Sequence, residues 1–296
     1  MGADLVEAFP TARAVYEEAD RLLGWSVTEL SFQGPAERLN DTRYTQPALF
    51  VHSVAAGRVL SEQGVRPEFF AGHSLGEYSA LALAGAFSFA DGLKLVVRRA
   101  EAMADAGAAN PGTMAAVIGL DERAVLAALA EVEGVVAANL NAPDQVVISG
   151  TAPGVQAASE RMSALGAKRV IPLRVSGAFH SPLMEPAAAK LRDALALTEI
   201  RPPRAPVVPN VTAKPTSDPE QLRELLVRQI VSPVRWSDSV RALSAAGVST
   251  CYEVGPGKVL QGLIRRIDSS LSALGAGTAK ELRSELLWSS TKYLGG

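Results

Sequence analysis

One segment, Gly72-His73-Ser74-Leu75-Gly76, constrains the fold of this 296-residue chain more than any other part of the sequence. A short extended stretch, Phe69–Ala71, precedes it, and an alanine- and leucine-rich helix follows from Glu77 to about Gly85. A strand, a tight glycine turn and a helix in this order indicate a parallel α/β arrangement. The segment therefore predicts a sheet whose strand delivers Ser74 directly to the start of a helix.

The same five residues fit the pattern G-x-S-x-G, in which a strained turn exposes a nucleophilic serine. The flanking glycines let the backbone turn sharply, and the N–H of Leu75 can then stabilise an oxyanion. A merely structural glycine turn would match the five letters as well. The strand before and the helix after favour Ser74 as a nucleophile.

A nucleophilic serine needs a base, and the chain has three histidines. His52 lies within a predicted helix, Gln46 to Leu60, among apolar residues, which favours a packing role. His73 is adjacent to Ser74 and should point another way while it helps to hold the turn. His180 follows a predicted strand, and loops at strand ends commonly present catalytic groups. We therefore predict His180 as the base.

The order of these residues argues against an ordinary esterase or lipase. In α/β-hydrolases the triad runs serine, acid, histidine, with the histidine usually close to the C-terminus. Here more than a hundred residues follow His180 without another histidine.

Hydrophobic periodicity predicts the organisation of the chain. We expect one opening helix that ends at Gly24 and, over residues 113–176, a β-α-β-β-α-β order typical of a ferredoxin-like unit. This unit would be inserted into an α/β-hydrolase-like core with a short parallel sheet, formed by residues 1–112 and 177–270. Segments Pro206–Val211 and Thr250–Val254 would return to the larger sheet, and Val259–Ile267 would form a helix. Residues 271–296 are a tail of unclear role, with a helical pattern near 280–287.

The composition argues against several classes of protein. The chain has 29 basic and 31 acidic residues and is only 5% aromatic, which disfavours nucleic-acid binding. A single cysteine, Cys251, permits no internal disulfide and no cysteine-based metal cluster and fits a reducing cytoplasm. The start of the chain lacks the features of a signal peptide. The longest apolar stretch, Tyr78–Ala90, is shorter than the roughly 20 residues that span a bilayer. We expect a cytoplasmic protein without a membrane segment.

Six segments together resemble the malonyl-CoA:acyl-carrier-protein transacylase family. The stretch 72–80 resembles the active-serine region of that family. The resemblance continues to about Asp268 in the family's order, through Thr45–Ala48, Asn141–Gly150, Gly177–Ser181, Leu226–Gln229 and Glu253–Lys258.

The resemblance implies roles for individual residues. Ser74 would accept the malonyl group and His180 would act as base and then acid, oriented by the backbone carbonyl of Gln229 in place of an acidic residue. Arg99 would bind the malonyl carboxylate, because a guanidinium can form two parallel hydrogen bonds with it. Without the resemblance, a solvated helix arginine would be the default interpretation of Arg99.

Other residues around the acyl group bear on the substrate. His73, Leu75 and Phe179 would lie in the substrate-binding region. Leu75 and Phe179 resemble the corresponding residues of malonyl-selective members. A bulky Phe179 would crowd a branched acyl chain, a steric preference for the unbranched group of about 1–3 kcal/mol. Malonyl-CoA and acyl carrier protein are the expected partners. Their thiols arrive with the substrates, so neither a metal nor a bound cofactor is expected.

The start of the sequence departs from the family pattern. Members begin with a strand and Gly-Gln-Gly-Ser-Gln, whose first glutamine supplies a second oxyanion donor, whereas Met1–Leu5 aligns just after that motif. We expect either a start further upstream or a weakened enzyme, because loss of one donor costs about 10²–10³-fold in turnover. The alternatives to a transferase are a serine thioesterase that uses the same Ser74 and His180, and a non-catalytic remnant that binds carrier protein.

Overall fold

The computed structural model describes residues 1–284 as a mixed α/β fold. The helices are α1 (Ala3–Ala8), α2 (Pro10–Leu23), α3 (Val27–Gln33), α4 (Ala36–Leu39), α5 (Thr42–Glu62), α6 (Leu75–Ala84), α7 (Phe89–Ala109), α8 (Glu122–Leu129), α9 (Ala152–Ala164), α10 (Glu185–Ala196), α11 (Pro219–Gln229), α12 (Trp236–Ala245), α13 (Val259–Ile267) and α14 (Ala279–Leu282). The strands are β1 (Phe70–Ala71), β2 (Thr113–Ile118), β3 (Val135–Ala142), β4 (Gln145–Gly150), β5 (Arg169–Pro172), β6 (Val207–Val208), β7 (Thr250–Glu253) and β8 (Ser272–Gly275). A 3₁₀ turn covers Pro182–Met184.

The opening segment forms two helices, so the prediction of one continuous helix is wrong. The break falls at Phe9, whose backbone is extended, with φ −133° and ψ 116°. Pro10 then begins α2, because proline has no N–H to donate and fits the first turn of a helix. The predicted end at Gly24 is confirmed, since Gly24 caps α2 in the left-handed region with φ 71°.

Strand β1 carries the serine turn and pairs in parallel with β6, where Phe70 lies opposite Val207. Helix α6 begins directly after the turn, at Leu75. The predicted strand, turn and helix are therefore all present. The largest buried core surrounds this unit, with α2, α5, α7, α10 and α11 contributing buried apolar side chains.

A second sheet has the antiparallel strand order β3-β4-β2-β5. Helices α8 and α9 pack on one face of it around a separate apolar cluster that includes Val125, Ile148 and Met162. Asp121 caps α8, because its side chain accepts a hydrogen bond from the Arg123 N–H. Strand β3 also reaches the rest of the molecule, since the Leu140 N–H donates to the Val234 carbonyl at 2.9 Å.

Strand β7 differs from the prediction. Within residues 1–284 it pairs in parallel with β8, with Cys251 opposite Ala273, and not with β1 or β6. The segment after β8 packs against the main core through the buried side chains of Ala276, Ala279 and Leu282. Of the predicted helical pattern near 280–287, α14 covers the part up to Leu282, and residues 285–287 lie outside the described residues. In the described part of the chain, no helix is both long enough and apolar enough to cross a membrane.

Candidate active site

Ser74 occupies a strained turn between β1 and α6. Its backbone has φ 51° and ψ −106°, a region that residues with a Cβ rarely adopt and that costs about 1–3 kcal/mol. Gly72 is required there, because a Cβ on it would lie 2.0 Å from the backbone of Gly76. Leu75 is the first residue of α6, so its N–H is among those that have no acceptor within the helix.

His180 contacts the serine from a loop that precedes the 3₁₀ turn. Its Nε2 lies 2.8 Å from the Ser74 Oγ, and its Nδ1 lies 2.9 Å from the Gln229 carbonyl oxygen. The carbonyl can only accept, so Nδ1 carries the ring proton and Nε2 is free to accept the serine proton. The structure thus brings together Ser74, His180 and Gln229.

The His180 imidazole is held in its neutral form. It is 3% exposed, and burial together with the nearby Arg99 cation lowers its pKa to about 3. Both causes disfavour a second positive charge at this position. A neutral imidazole beside a hydroxyl is the state that a general base requires.

Arg99 lies in the middle of α7 and is 1% exposed. Its Nη2 donates to the Ser74 Oγ at 2.9 Å and to the Gln229 Oε1 at 3.2 Å, and its Nη1 donates to the Gln46 Oε1 at 2.5 Å. The neighbouring Arg98 is exposed and pairs with Glu101 at 3.5 Å. Of these two arginines, therefore, only Arg99 aims a buried guanidinium at the Ser74 hydroxyl.

The other two histidines lie elsewhere. His73 Nε2 is 2.8 Å from the Asn141 Oδ1 on β3, and its ring lies 5.8 Å from that of Trp236. Burial lowers the pKa of His73. His52 is buried in α5, with its Nδ1 3.4 Å from the Tyr16 hydroxyl, and burial lowers its pKa to about 4.

Leu75 follows Ser74 in the sequence, and Phe179 precedes His180. Leu75 is 8% exposed and belongs to the main core. Phe179 is half-buried and packs against both the main core and an apolar cluster on the second sheet that includes Met114 and Val147. Phe179 therefore lies where the two cores meet, next to His180.

A buried carboxyl lies behind the turn. Glu77 Oε2 accepts hydrogen bonds from the Asn210 N–H at 3.0 Å and from the Gln229 Nε2 at 2.7 Å. Burial raises the pKa of Glu77 to about 7, and these hydrogen bonds oppose the rise. Its Oε1 has no hydrogen-bond partner among residues 1–284.

For four polar residues of this site, the sequence alone predicts no role. Gln46, Glu77 and Asn141 lie in motifs that carry the family resemblance, but their contacts depend on distant parts of the chain. Asn210 lies outside those motifs. The signal that could have found it is its position two residues after β6, because the ends of adjacent parallel strands meet at the same edge of a sheet.

The described residues contain no group of three histidine, cysteine, aspartate or glutamate side chains arranged to hold a metal ion. What the geometry offers is a hydroxyl between an imidazole and a guanidinium. This arrangement suits acyl transfer through a serine ester.

Comparison with known proteins agrees with this chemistry. The acyl transferase domain family matches residues 1–282. The chain is 46% identical over 278 residues to the malonyl CoA-acyl carrier protein transacylase of Bacillus subtilis, which covers 93% of this chain and 88% of that protein. It is also 46% identical over 277 residues to the Escherichia coli K12 protein of the same name, covering 92% of this chain and 90% of that protein.

Solved structures of such transacylases are also similar to this chain. A malonyl CoA-acyl carrier protein transacylase from Coxiella burnetii superposes with a TM-score of 0.94 at 36% identity, covering all of this chain and 93% of that one. A malonyl-transacylase solved in complex with its type II polyketide acyl-carrier protein gives 0.92 at 43% identity, covering 95% and 93%. The chain therefore belongs to the acyl transferase domain family and, within it, to the malonyl CoA-acyl carrier protein transacylases.

Proposed function

We propose that this protein transfers a malonyl group from coenzyme A to the phosphopantetheine thiol of acyl carrier protein by a ping-pong mechanism. The observation that carries the proposal is the Ser74 hydroxyl, which lies 2.8 Å from the His180 imidazole and 2.9 Å from the Arg99 guanidinium. A base and a fixed cation at one hydroxyl suit a substrate that has both a thioester and a carboxylate.

In the acylation step, His180 Nε2 takes the Ser74 proton while Oγ attacks the thioester carbonyl carbon. The carbonyl oxygen becomes an oxyanion, which we assign to the Leu75 N–H as donor. When the C–S bond breaks, His180 returns the proton to the departing coenzyme A thiolate. The malonyl group then remains as an ester on Ser74.

In the second step, the carrier-protein thiol gives its proton to His180 and attacks the same carbonyl carbon. The ester C–O bond breaks, and Ser74 Oγ recovers a proton from His180. Gln229 acts throughout by holding the imidazole through its carbonyl. No electron transfer occurs and both thiols belong to substrates, so the proposal includes neither a cofactor nor a metal.

Arg99 is the proposed carboxylate ligand. Its buried guanidinium is presented by Gln46 and Gln229, and a malonyl carboxylate would accept its hydrogen bonds in two parallel contacts. A charge-assisted contact of this kind favours malonyl over uncharged acyl groups. We assign Leu75, Phe179 and His73 to the surroundings of the acyl group, with Phe179 limiting branched chains. Turnover of methylmalonyl-CoA as efficient as that of malonyl-CoA would contradict this part.

The arrangement of strands and helices supports a proposal about the two parts of the fold. We propose that residues 113–176 form an inserted ferredoxin-like unit, and the strand order β3-β4-β2-β5 with two helices on one face supports this proposal. We propose that β1, the Ser74 turn and α6 belong to an α/β-hydrolase-like core. We place the protein in the cytoplasm and in fatty acid synthesis, where malonyl-CoA and acyl carrier protein are its partners.

The test is intact-protein mass after brief mixing with malonyl-CoA, with Ser74→Ala as the control. A malonyl-sized adduct that disappears in Ser74→Ala is expected, followed by its transfer to added carrier protein. Free malonate in place of malonylated carrier would indicate a thioesterase. Folded protein that never acquires the adduct would favour a remnant that only binds the carrier.

A further inference from the structure

The Asn210 side chain forms hydrogen bonds with the backbone of the serine turn on both sides of His73. Its Nδ2 donates to the Gly72 carbonyl at 2.6 Å, and its Oδ1 accepts from the Ser74 N–H at 2.7 Å. Asn210 is completely buried. One amide group therefore fixes the carbonyl before the turn and the N–H of the nucleophile.

Asn210 is itself held in place. Its N–H donates to the Glu77 Oε2 at 3.0 Å, and its carbonyl accepts from the Arg235 N–H at 3.0 Å. All four polar groups of Asn210 thus have partners. Because Glu77 belongs to α6, the helix that follows the turn also fixes the residue that grips the turn.

Gln229 closes the network from the other side. Its Nε2 donates to the Ser74 carbonyl at 3.0 Å and to the Glu77 Oε2 at 2.7 Å, while its Oε1 accepts from Arg99. The Arg99 guanidinium can only donate and the Glu77 Oε2 accepts, so together they turn the Gln229 amide with its NH₂ toward Glu77 and its oxygen toward Arg99. Glu77 therefore holds two side chains, Asn210 and Gln229, that both contact Ser74.

Ser74 needs such support because its φ of 51° is unfavourable for a residue with a Cβ. A strained conformation persists only where the surroundings hold it. Relaxation of the turn would carry Oγ away from His180, and a displacement of about 1 Å can cost ~10²-fold in rate.

We propose that Asn210 and Glu77 are positioning residues that hold Ser74 in its reactive conformation. Asn210 does so through its two hydrogen bonds to the turn, and Glu77 through its hydrogen bonds to Asn210 and Gln229. The inference rests on the proposed function for its kinetic test. It differs from a purely structural role, which would change stability without changing the reactivity of folded enzyme.

The test compares Asn210→Ala, Asn210→Asp, Glu77→Leu and Glu77→Gln with the wild type. The aspartate retains the acceptor for the Ser74 N–H but loses the donor to Gly72. The glutamine retains an oxygen for both donors of the Glu77 site, and its NH₂ replaces Oε1. A matched control is Ser237→Ala, because Ser237 is equally buried and its Oγ has no partner within the described residues.

The acylation rate of Ser74 is measured with malonyl-CoA, with acetyl-CoA and with a fluorophosphonate, on protein shown to be folded. We expect Asn210→Ala and Glu77→Leu to slow all three reactions by about 10²-fold, with little change in KM for malonyl-CoA. Asn210→Asp should be slowed less, Glu77→Gln should retain most of the rate, and Ser237→Ala should match the wild type.

The outcomes separate this inference from the proposed function. Wild-type rates in folded Asn210→Asp and Glu77→Leu would overturn the inference, as would a loss confined to malonyl-CoA, which would indicate an effect on Arg99 alone. If the wild type forms no malonyl ester, the proposed function fails. The fluorophosphonate reaction would still test the positioning of Ser74.

Discussion

At the scale of single residues, the contacts of Arg99 bear on both the proposed substrate and the proposed base. Its guanidinium contacts Ser74 Oγ, and its charge is one cause of the low pKa of His180. Arg99→Met removes the charge and keeps a side chain of similar length. We expect the malonyl-to-acetyl ratio of acylation rates to fall by about 10- to 10²-fold, the equivalent of one charge-assisted hydrogen bond.

The same variant should change the pH dependence of acylation. Without the Arg99 cation, protonation of His180 becomes easier, so its pKa rises and the acidic limb of acetyl-CoA acylation moves to higher pH. Initial acylation rates between pH 4 and pH 8 measure this. Arg98→Met is the matched control, because Arg98 is exposed and pairs with Glu101. An unchanged acidic limb in Arg99→Met would contradict the electrostatic argument.

Glu77 gives a second prediction at this scale, concerning stability. Its pKa is about 7 in the folded protein against an ordinary 4.5, so between these values the folded state binds more protons than the unfolded state. The contribution of Glu77 to stability is therefore greatest at or below pH 4.5 and is lost as the pH rises to about 7. The non-titrating Glu77→Gln should gain stability relative to the wild type over this range, by about 1–3 kcal/mol. Urea unfolding at pH 5 and pH 8 measures it, and an equal difference at both pH values would refute it.

At the scale of secondary-structure elements, the two glycines of the serine turn are not equivalent. A Cβ on Gly72 would meet the Gly76 backbone at 2.0 Å, whereas a Cβ on Gly76 would meet nothing within 4 Å among the described residues. Gly72→Ala should therefore cost at least about 1–3 kcal/mol of unfolding free energy, since β1 and α6 must separate. Gly76→Ala, in the first turn of α6, should be neutral or stabilising by up to about 1 kcal/mol. Denaturant unfolding of both variants is the measurement, and equal effects would contradict it.

The elements also show what the sequence can predict. The serine turn and the cap at Gly24 depend on neighbouring residues, so their local patterns were sufficient. The partner of β7 was not predictable in this way, because Ser272–Gly275 has little hydrophobic alternation of its own and becomes a strand through pairing. The break before Pro10 was readable from the missing N–H of proline, but the apolar period continues across it.

In the candidate site too, features set by neighbouring residues are predictable and contacts between distant residues are not. Ser74 and His180 stand in recognisable local contexts, whereas Asn210 and Gln229 meet the turn across 136 and 155 residues of sequence. Periodicity carries no information on such contacts. Glu77 was hidden for another reason: an acidic residue in the first turn of a helix is ordinarily explained by the helix dipole, and only the fold buries this one.

At the scale of the whole molecule, Ser74 lies where the main core meets the second sheet. His73, next to Ser74, donates a 2.8 Å hydrogen bond from its Nε2 to the Asn141 Oδ1 on β3. The strand is joined to the segment before α12 by hydrogen bonds of 2.8 and 2.9 Å between Val234 and residues 138 and 140. The alignment of the turn therefore depends on how the second sheet sits against the core.

Asn141→Ala tests this dependence. It leaves the partly buried Nε2 of His73 without its partner, so we expect the free energy of unfolding to fall by about 1–3 kcal/mol. Acylation of Ser74 should slow as well, because His73 adjoins the nucleophile. The control is Ser149→Ala on β4, a fully buried serine whose Oγ has no partner among residues 1–284, and it should change neither quantity. If Asn141→Ala lowers stability but folded enzyme acylates at the wild-type rate, then the second sheet stabilises the molecule without aligning its nucleophile.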